Sequence, residues 1–200
     1  MSLFYRFMRR LAWIFVHLFF RFRVENFPAE LPQDPLILCA NHKSMLDPVF
    51  LGILWPRPVY FLAKEELSRS KFMNWLLRHL GVIFIDRREA DLDAMRRCMR
   101  ILKTKKTLGI FPEGTRTKVD APENMKEGVA FLALRAQCNV LCATIQGKVG
   151  FRKPITVRFQ PLLSPDAYRK LGATQARKAM TGDIYLRIYN KELEDDHCSL

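Results

Sequence analysis

The first 24 residues distribute apolar and polar side chains with the period of a helix. Phased at about 100° per residue, one side is cationic and aromatic: Arg6, Arg10, Trp13, His17 and Arg21. The opposite side is apolar: Leu3, Phe7, Leu11, Ile14, Phe15, Leu18 and Phe22. Residues 1–24 contain five Arg and neither Asp nor Glu. The pattern predicts an amphipathic helix in a membrane interface, with its apolar side among acyl chains and its Arg residues toward lipid phosphates.

Two other interpretations of this segment stay open on sequence alone, because the helix would also suit packing on its own domain or on a second subunit. A cleaved signal peptide is disfavoured, since Arg21 and Arg23 stand where small residues should follow the apolar run. A membrane-spanning helix is disfavoured too, because the uncharged run Leu11–Phe20 is shorter than the roughly 20 residues that such a helix needs.

After a linker that contains three prolines, short apolar runs alternate with longer segments of helical period. Strands are predicted at Leu36–Ala40, Val59–Ala63, Val82–Asp86, Leu108–Phe111, Val140–Ile145 and Thr156–Phe159. Helices are predicted at Met45–Leu54, Lys71–Leu80, Ala90–Lys105, Lys126–Gln137 and Ala173–Tyr189. Strands of buried type separated by helices indicate an α/β fold with a largely parallel or mixed sheet flanked by helices. We therefore expect an N-terminal helix, residues 1–24, and one domain, residues 25–200.

The amino-acid composition excludes some classes of protein and indicates which kinds of partner to expect. A hydrophobic content of 49% with 26% charged residues excludes a disordered or fibrous chain. The formal net charge of +13 indicates an anionic membrane surface, a nucleic acid or a phosphorylated substrate as partner. The cysteines form neither a C-x-x-C pair nor a disulfide-scaffold spacing, so we expect reduced thiols and no metal site.

Polar residues follow the predicted strands directly. They are Asn41 and His42, Lys64 to Glu66, Arg87 and Arg88, Pro112 to Arg116, and Gln146 and Gly147. Ligands of parallel α/β sheets bind beyond the carboxyl ends of the strands. If these strands are parallel and adjacent, a histidine, a carboxylate and several cations share one cleft.

His42 and Asp47 are close enough in sequence for a turn into a helix to bring them together. A neutral imidazole can take a proton from a hydroxyl, and a carboxylate on its other ring nitrogen fixes the tautomer and stabilises the imidazolium. Alternatively, Asp47 caps a helix before Pro48 and His42 merely ends a strand. The chain has no G-x-S-x-G motif, and Ser44 lies too near His42 to act as its nucleophile. A substrate hydroxyl would then be the attacking group, which favours transfer over hydrolysis.

The segment between Phe111 and Arg116 is a second candidate. Its proline and glycine predict a tight turn that lets a ligand approach the backbone, and its arginine offers a planar fork to phosphate oxygens. Lys64 and Arg87 would complete a phosphate clamp, and Glu113 would orient either the surroundings of the imidazole or a substrate hydroxyl. An ordinary loop with solvated charges explains the same residues equally well at this stage.

Four short motifs follow one another in a fixed order between residues 36 and 147. They are Asn41-His42-x-Ser44-x-x-Asp47, Phe61-x-Ala63-Lys64-x-Glu66-Leu67, Gly81-x-x-Phe84-Ile85-Asp86-Arg87 and Phe111–Arg116, with Lys126-x-Gly128 behind them. In combination and spacing they resemble the 1-acylglycerol-3-phosphate acyltransferases of phospholipid synthesis. Cys142 stands about where that family has Pro in a short apolar run, a departure that concerns the acyl-binding wall.

The resemblance implies a role for each matching residue. His42 is the catalytic base and Asp47 its partner. The implied substrate-binding residues are Glu113, Gly114, Thr115, Arg116, Lys64 and Arg87, of which Arg116, with Lys64 or Arg87, would bind the phosphate. Backbone N–H groups near Gly114, or at the helix start after His42, are candidates for stabilising an oxyanion. Neither a metal nor a redox cofactor is implied.

The implied reaction moves an acyl chain from acyl-CoA or acyl-carrier protein to the sn-2 hydroxyl of 1-acylglycerol-3-phosphate, giving phosphatidic acid. Glycerol-3-phosphate or another lysophospholipid is the alternative acceptor, and a non-catalytic membrane-surface protein is the alternative from another class. The expected location is the cell membrane, peripheral or monotopic on its cytoplasmic face, with residues 1–24 on the anionic surface. Nucleic acid is not an expected partner, because the basic stretch Arg96–Lys106 has no reader motif and no interleaved aromatic residues. That stretch is a solvated face or a docking site for acyl-carrier protein.

Overall fold

The computed structural model describes residues 2–31, 35–85, 92–117 and 121–189, which form a sheet with helices on both faces. The helices are α1 (Leu3–Phe19), α2 (Asp47–Leu54), α3 (Lys71–His79), α4 (Leu92–Lys103), α5 (Gly128–Ala136) and α6 (Ala173–Tyr189). The strands are β1 (Arg21–Glu25), β2 (Leu36–Ala40), β3 (Val59–Lys64), β4 (Ile83–Ile85), β5 (Thr107–Ile110), β6 (Asn139–Gly147) and β7 (Pro154–Phe159). Short 3₁₀ helices lie at Glu65–Arg69, Pro122–Asn124 and Pro165–Tyr168.

The described strands form one sheet in the order β1-β7-β6-β2-β5-β3-β4. The β6–β7 pair is antiparallel, and the other pairings of described strands are parallel. Strands β2 to β6 therefore all point the same way, and their carboxyl ends meet at one edge. This mixed, largely parallel α/β sheet confirms the predicted fold class.

Alternating side chains of the central strand β2 supply two cores. Ile37 and Cys39 pack with residues of α4, α5 and α6 on one face of the sheet. Leu36, Leu38 and Ala40 pack with residues of α1 and α2 on the other. Because successive side chains of a strand point to opposite faces, a run of apolar residues is what a strand covered on both faces needs.

Most predicted elements are present, and β2 and α6 have the predicted bounds. The other predicted strands and helices differ from the observed ones by a few residues at their ends. The ends Asp86 and Ala90 of two predicted elements lie outside the described residues.

The prediction of one helix over residues 1–24 is wrong at its C-terminal end. The helix stops at Phe19, and Arg21–Glu25 forms β1, which pairs in parallel with β7. The backbone N–H of Arg21 donates to the carbonyl oxygen of Lys153 at 3.0 Å. Residues 21–25 alternate charged and apolar side chains, the period of a strand, which the helical phase of the preceding residues concealed. These residues therefore belong to the domain.

Helix α1 packs on α2 through a narrow stripe on the side away from its exposed apolar residues. Tyr5, Ala12 and Val16 face the domain. The guanidinium of Arg9 donates to the carbonyl oxygen of Ile53, through Nε at 3.1 Å and Nη2 at 3.0 Å. Carbonyl groups near the end of a helix lack partners within it, so this contact ties α1 to the end of α2. Arg9 therefore stabilises the packing of α1 on the domain.

The wide apolar side of α1 stays in solvent, with side chains 41% to 82% exposed. These are Leu3, Phe7, Leu11, Ile14, Phe15 and Leu18, which we call the α1 surface. At its ends, Phe4 contacts Trp75 of α3 with ring centroids 5.3 Å apart, and Phe19 contacts Phe151 at 6.0 Å. The helix therefore packs on its own domain without covering this surface. Within the described ranges, every helix is too short or too polar to cross a membrane.

Candidate active site

Asn41, the first residue after β2, extends the pairing of β2 with β6 beyond the end of the strand. Its Nδ2 donates to the carbonyl oxygen of Ile145 at 2.9 Å, and the N–H of Ile145 donates to its Oδ1 at 2.7 Å. The side chain is buried, and both ends of its amide are bonded, as burial of a polar group requires. The chain therefore leaves the sheet at a fixed point directly before His42.

The structure brings His42 and Asp47 together. Nδ1 of His42 lies 3.0 Å from Oδ2 of Asp47, and the N–H groups of Lys43 and Ser44 donate to the same oxygen at 2.7 Å each. Asp47 is 1% exposed and begins α2, so the turn into the helix closes the loop. A carboxylate at Nδ1 holds the ring proton there and leaves Nε2 with a lone pair. The alternative role of Asp47 as a simple helix cap does not account for this contact.

A stack of aromatic rings fixes the plane of the imidazole. The ring of Phe111 lies 4.3 Å from that of His42, centroid to centroid, at an interplanar angle of 22°. Phe61 stacks behind Phe111 at 5.9 Å. Phe61 fits there because its neighbour on β5 is Gly109, where a Cβ atom would lie 2.3 Å from the Phe61 ring. The imidazole therefore has a defined plane as well as a defined tautomer.

Glu113 contacts the loop after β2 from the other side. Its Oε1 accepts hydrogen bonds from the backbone N–H of His42 at 3.1 Å and from the hydroxyl of Tyr189 at 2.7 Å. The side chain is only 2% exposed. Of the two roles that the sequence left open, this geometry fits orientation of the His42 surroundings. Its other oxygen, Oε2, is buried without a hydrogen-bond partner among the described residues, so the implied contact with a substrate stays a prediction.

Four of the N–H groups expected to stabilise an oxyanion are already bonded within the protein. Those of His42, Lys43 and Ser44 donate to the two buried carboxylates described above. The N–H of Gly114 donates to the carbonyl oxygen of Phe111 at 3.0 Å. An oxyanion could use any of these four only by displacing an existing partner, so the other N–H groups near Gly114 stay the predicted donors.

The implied phosphate binders are spread along the carboxyl edge of the sheet. Thr115 and Arg116 are exposed directly after Gly114, whose φ of +68° is a left-handed conformation that favours glycine. Lys64 is exposed at the end of β3, and β5 lies between that strand and β2. Arg87 lies outside the described residues.

Two spaces adjoin the residues that contact the imidazole. The first, which we call the apolar cavity, has a volume of about 240 Å³ and includes Phe111 in its lining. It is lined by Leu62, Ile85, Ala94, Met95, Cys98, Ile110, Phe111, Pro112, Gly114, Lys126, Gly128, Val129 and Leu132. Cys142 is not among the residues that line this cavity. Burial raises the pKa of Cys142 to about 12, which keeps its thiol neutral.

The second space, the Lys43–Lys148 cleft, has a volume of about 360 Å³ and lies on the Asp47 side. Thr117 also lines it, and the hydroxyl of Thr117 is buried without a hydrogen-bond partner among the described residues. Sequence reasoning did not predict this cleft, because its two lysines come from distant parts of the chain.

A protein-family model described as acyltransferase matches residues 20–146, well over half of the chain. The chain belongs to the acyltransferase family. The matched residues include His42, Asp47 and the turn after β5. The resemblance inferred from the motifs is therefore confirmed, and the protein is an enzyme.

This acyltransferase is 29% identical to the 1-acyl-sn-glycerol-3-phosphate acyltransferase of Bacillus subtilis over 180 residues, which are 86% of this chain and 85% of that one. It is 30% identical to the protein of the same name from Borreliella burgdorferi over 129 residues, 64% of this chain and 50% of that one. The crystal structure of the 1-acyl-sn-glycerophosphate acyltransferase PlsC from Thermotoga maritima matches with a TM-score of 0.71 and 23% identity. The match covers 93% of this chain and 78% of the Thermotoga chain, so the two proteins share a fold.

The C-terminal helix of this acyltransferase lies beyond the matched region and still reaches the active site. Its last residue, Tyr189, donates to Glu113, and the preceding carbonyl group of Ile188 accepts a bond from the hydroxyl of Thr144 at 2.6 Å. Sequence reasoning missed Tyr189, because 76 positions separate it from its partner and its local pattern is that of any helix.

Proposed function

We propose that this acyltransferase transfers an acyl chain from an acyl thioester to the sn-2 hydroxyl of 1-acylglycerol-3-phosphate, giving phosphatidic acid. Its main support is the His42–Asp47 pair, 3.0 Å apart at the carboxyl edge of the sheet and beside an apolar cavity. The names of the Bacillus and Borreliella relatives support the acceptor. Glycerol-3-phosphate or another lysophospholipid is the alternative acceptor.

In the proposed reaction, Nε2 of His42 takes the proton of the acceptor hydroxyl as that oxygen attacks the thioester carbonyl. The new C–O bond gives a tetrahedral intermediate, which collapses as the C–S bond breaks. The proton on the imidazole passes to the departing thiolate, so the products are an ester, a thiol and neutral His42. Asp47 stabilises the imidazolium between these steps. A well-placed base contributes roughly 10²- to 10⁴-fold to the rate.

We assign the acyl chain to the apolar cavity. Its lining is mostly aliphatic, and it reaches Phe111, whose ring stacks on the imidazole. Each methylene group moved there from water favours binding by about 0.8 kcal/mol. A chain held in this cavity brings its thioester carbonyl toward His42.

We assign the phosphate of the acceptor to Arg116, with Lys64 or Arg87 as its second cation. An exposed guanidinium at the carboxyl edge can bind two phosphate oxygens at once. The Lys43–Lys148 cleft is the competing position, since it offers two ammonium groups and the buried hydroxyl of Thr117.

We assign the α1 surface to the cytoplasmic face of the cell membrane, where the lipid acceptor resides. A helix surface of six exposed apolar side chains, with exposed Arg6 and Arg10 on the same helix, suits an anionic interface. Flotation of the full chain with phosphatidylglycerol vesicles tests this. Replacing Phe7 and Leu18 by Ser should abolish flotation, and the same change at exposed Leu162 and Leu171 should not. Undiminished flotation of the Phe7/Leu18 variant would exclude the assignment.

An assay of product formation tests the reaction. The purified chain is given labelled acyl-CoA or acyl-carrier protein and each of the three acceptors, and kcat/KM is measured. We expect phosphatidic acid from 1-acylglycerol-3-phosphate with the highest kcat/KM. His42→Ala should lose at least about 10²-fold in kcat while keeping its melting temperature. His79→Ala, at an exposed histidine on α3, is the control, and comparable activity of the two variants would rule out His42 as the base.

A further inference from the structure

A groove between α4 and α5 combines an apolar floor with a basic rim. Leu92, Met95, Met99 and Phe131 supply the apolar side chains, and Arg96, Arg100, Lys103 and Arg135 supply the cations. The volume is about 440 Å³, and among the described residues that line the groove none is acidic. We call this feature the α4–α5 groove.

The α4–α5 groove adjoins the active site. Met95 lines both the groove and the apolar cavity. The cavity in turn includes Phe111, whose ring centroid lies 4.3 Å from that of His42. Met95 is therefore a wall shared by the groove and the cavity beside the imidazole.

The groove and the α1 surface belong to opposite faces of the sheet. Helices α4 and α5 pack into the core that contains Ile37 and Cys39, whereas α1 packs into the core that contains Leu36 and Leu38. A protein that rests on a membrane through α1 thus presents α4 and α5 away from it. A macromolecule can occupy the groove at the same time.

The cations of the rim are spread out rather than focused on one point. Arg96, Arg100 and Lys103 follow one side of α4 over about 10 Å at roughly 1.5 Å per residue. Arg135 stands across the groove on α5. Such a row is longer than the diphosphate of a coenzyme, and it complements carboxylates repeated along a helix. Arg96 also pairs with Asp93 at 3.2 Å, but both are exposed, and exposed pairs exchange partners at little cost.

We propose that the α4–α5 groove docks an acidic carrier protein that presents the acyl chain as a thioester. This proposal rests on the proposed function, because it identifies the donor of that reaction. An acidic helix of the carrier lies along the rim, its apolar residues meet the floor, and its thioester arm passes Met95 into the apolar cavity. The groove accounts for three cations of the Arg96–Lys106 stretch, whereas Lys106 lies over the ring of Tyr60 at 5.1 Å.

Charge reversal on the groove tests the proposal in the full chain. The variant Arg96→Glu/Arg100→Glu is compared with Lys170→Glu/Lys178→Glu, which makes the same change in net charge at exposed positions outside the groove. KM is measured for acyl-carrier protein, for acyl-CoA and for 1-acylglycerol-3-phosphate. We expect the groove variant to raise KM for acyl-carrier protein at least about tenfold and to change the other two less than twofold. The wild-type KM for acyl-carrier protein should also rise with NaCl, because salt screens exposed charges.

Three results would overturn the docking site. One is a wild-type enzyme that uses acyl-CoA and not acyl-carrier protein. Another is an equal loss with both donors, which would mean that the cations bind the phosphates of the coenzyme. The third is an equal effect of the control variant. A wild-type enzyme that makes no phosphatidic acid with either donor would instead reject the proposed function itself.

Discussion

The loop after β2 and the turn after β5 lie side by side at the carboxyl edge of the sheet, and each contributes one buried carboxylate. Asp47 binds the ring of His42, and Glu113 binds its backbone N–H. The two loops differ in what comes next. The first leads straight into α2, whereas the second continues with Thr115 and Arg116 in solvent.

This difference separates two requirements of a transferase. The base must be held in one tautomer and one plane before the substrate arrives, because orientation that is built into the fold does not have to be supplied during the reaction. A binding residue, in contrast, must stay accessible until its ligand replaces the surrounding water. In the proposed reaction, the loop after β2 meets the first requirement, and the exposed end of the turn after β5 meets the second.

The largest expected effect on activity comes from changing the buried carboxylate of Asp47. Asp47→Asn keeps an oxygen that can accept from Lys43 and Ser44, but it removes the charge that stabilises the imidazolium of His42. We expect kcat to fall about 10²- to 10⁴-fold with little change in the KM of either substrate. Steady-state kinetics and a thermal melt measure both quantities. Asp166→Asn, at an exposed aspartate, is the matched control.

A kcat for Asp47→Asn within twofold of wild type would show that the carboxylate only closes the loop. The buried pair would then be structural, and the loop after β2 would no longer be distinguished from the turn after β5 by a role in catalysis.

At the exposed end of the turn after β5, we expect a change to affect substrate binding. Removing the guanidinium in Arg116→Ala should raise KM for the phosphorylated acceptor about 10- to 100-fold, since a hydrogen-bonded charge contributes roughly 1.5–3 kcal/mol. We expect kcat to change less than about threefold. Arg116→Lys should recover part of the affinity, because it keeps the charge without the planar fork. An unchanged KM in Arg116→Ala, together with a raised KM in Lys148→Ala, would move the phosphate to the Lys43–Lys148 cleft.

The parts of the fold that were predictable are those where local pattern and tertiary role agree. β2 is buried on both faces, so an uninterrupted apolar run marks it without ambiguity. The prediction was wrong for β1 because its alternating residues follow a helix directly, and Phe22 fits the period of either a helix or a strand. What decides in favour of a strand is the pairing with β7, more than a hundred positions away, which local periodicity does not contain.

The same limit applies to the active site. His42 and Asp47 are neighbours in sequence, so their contact was accessible to a spacing argument. Glu113 was found by its motif, but its burial was not, because that depends on which groups surround it. No sequence pattern marks Tyr189, because a tyrosine in the last turn of a helix is ordinary. Its role becomes visible only in the structure, where α6 ends beside the turn after β5.

The smallest expected effect tests whether Tyr189 is a positioning residue that acts through Glu113. Tyr189→Phe removes one donor from a buried carboxylate that also holds the N–H of His42, so the loop after β2 loses part of its support. We expect kcat to fall about tenfold, the equivalent of roughly 1.4 kcal/mol for one hydrogen bond to a charged group, with both KM values unchanged.

A double-mutant cycle with Glu113→Gln distinguishes positioning from simple destabilisation of α6. If Tyr189 acts through the carboxylate, Tyr189→Phe adds less than about twofold to the loss of kcat caused by Glu113→Gln, because contacting residues of one network are not additive. Additive losses would mean that the hydroxyl acts on something other than Glu113. A fall in kcat that is matched by the fraction of unfolded protein at the assay temperature would mean that α6 supports only stability. In either case, the loop after β2 would owe its order to residues inside the family match alone.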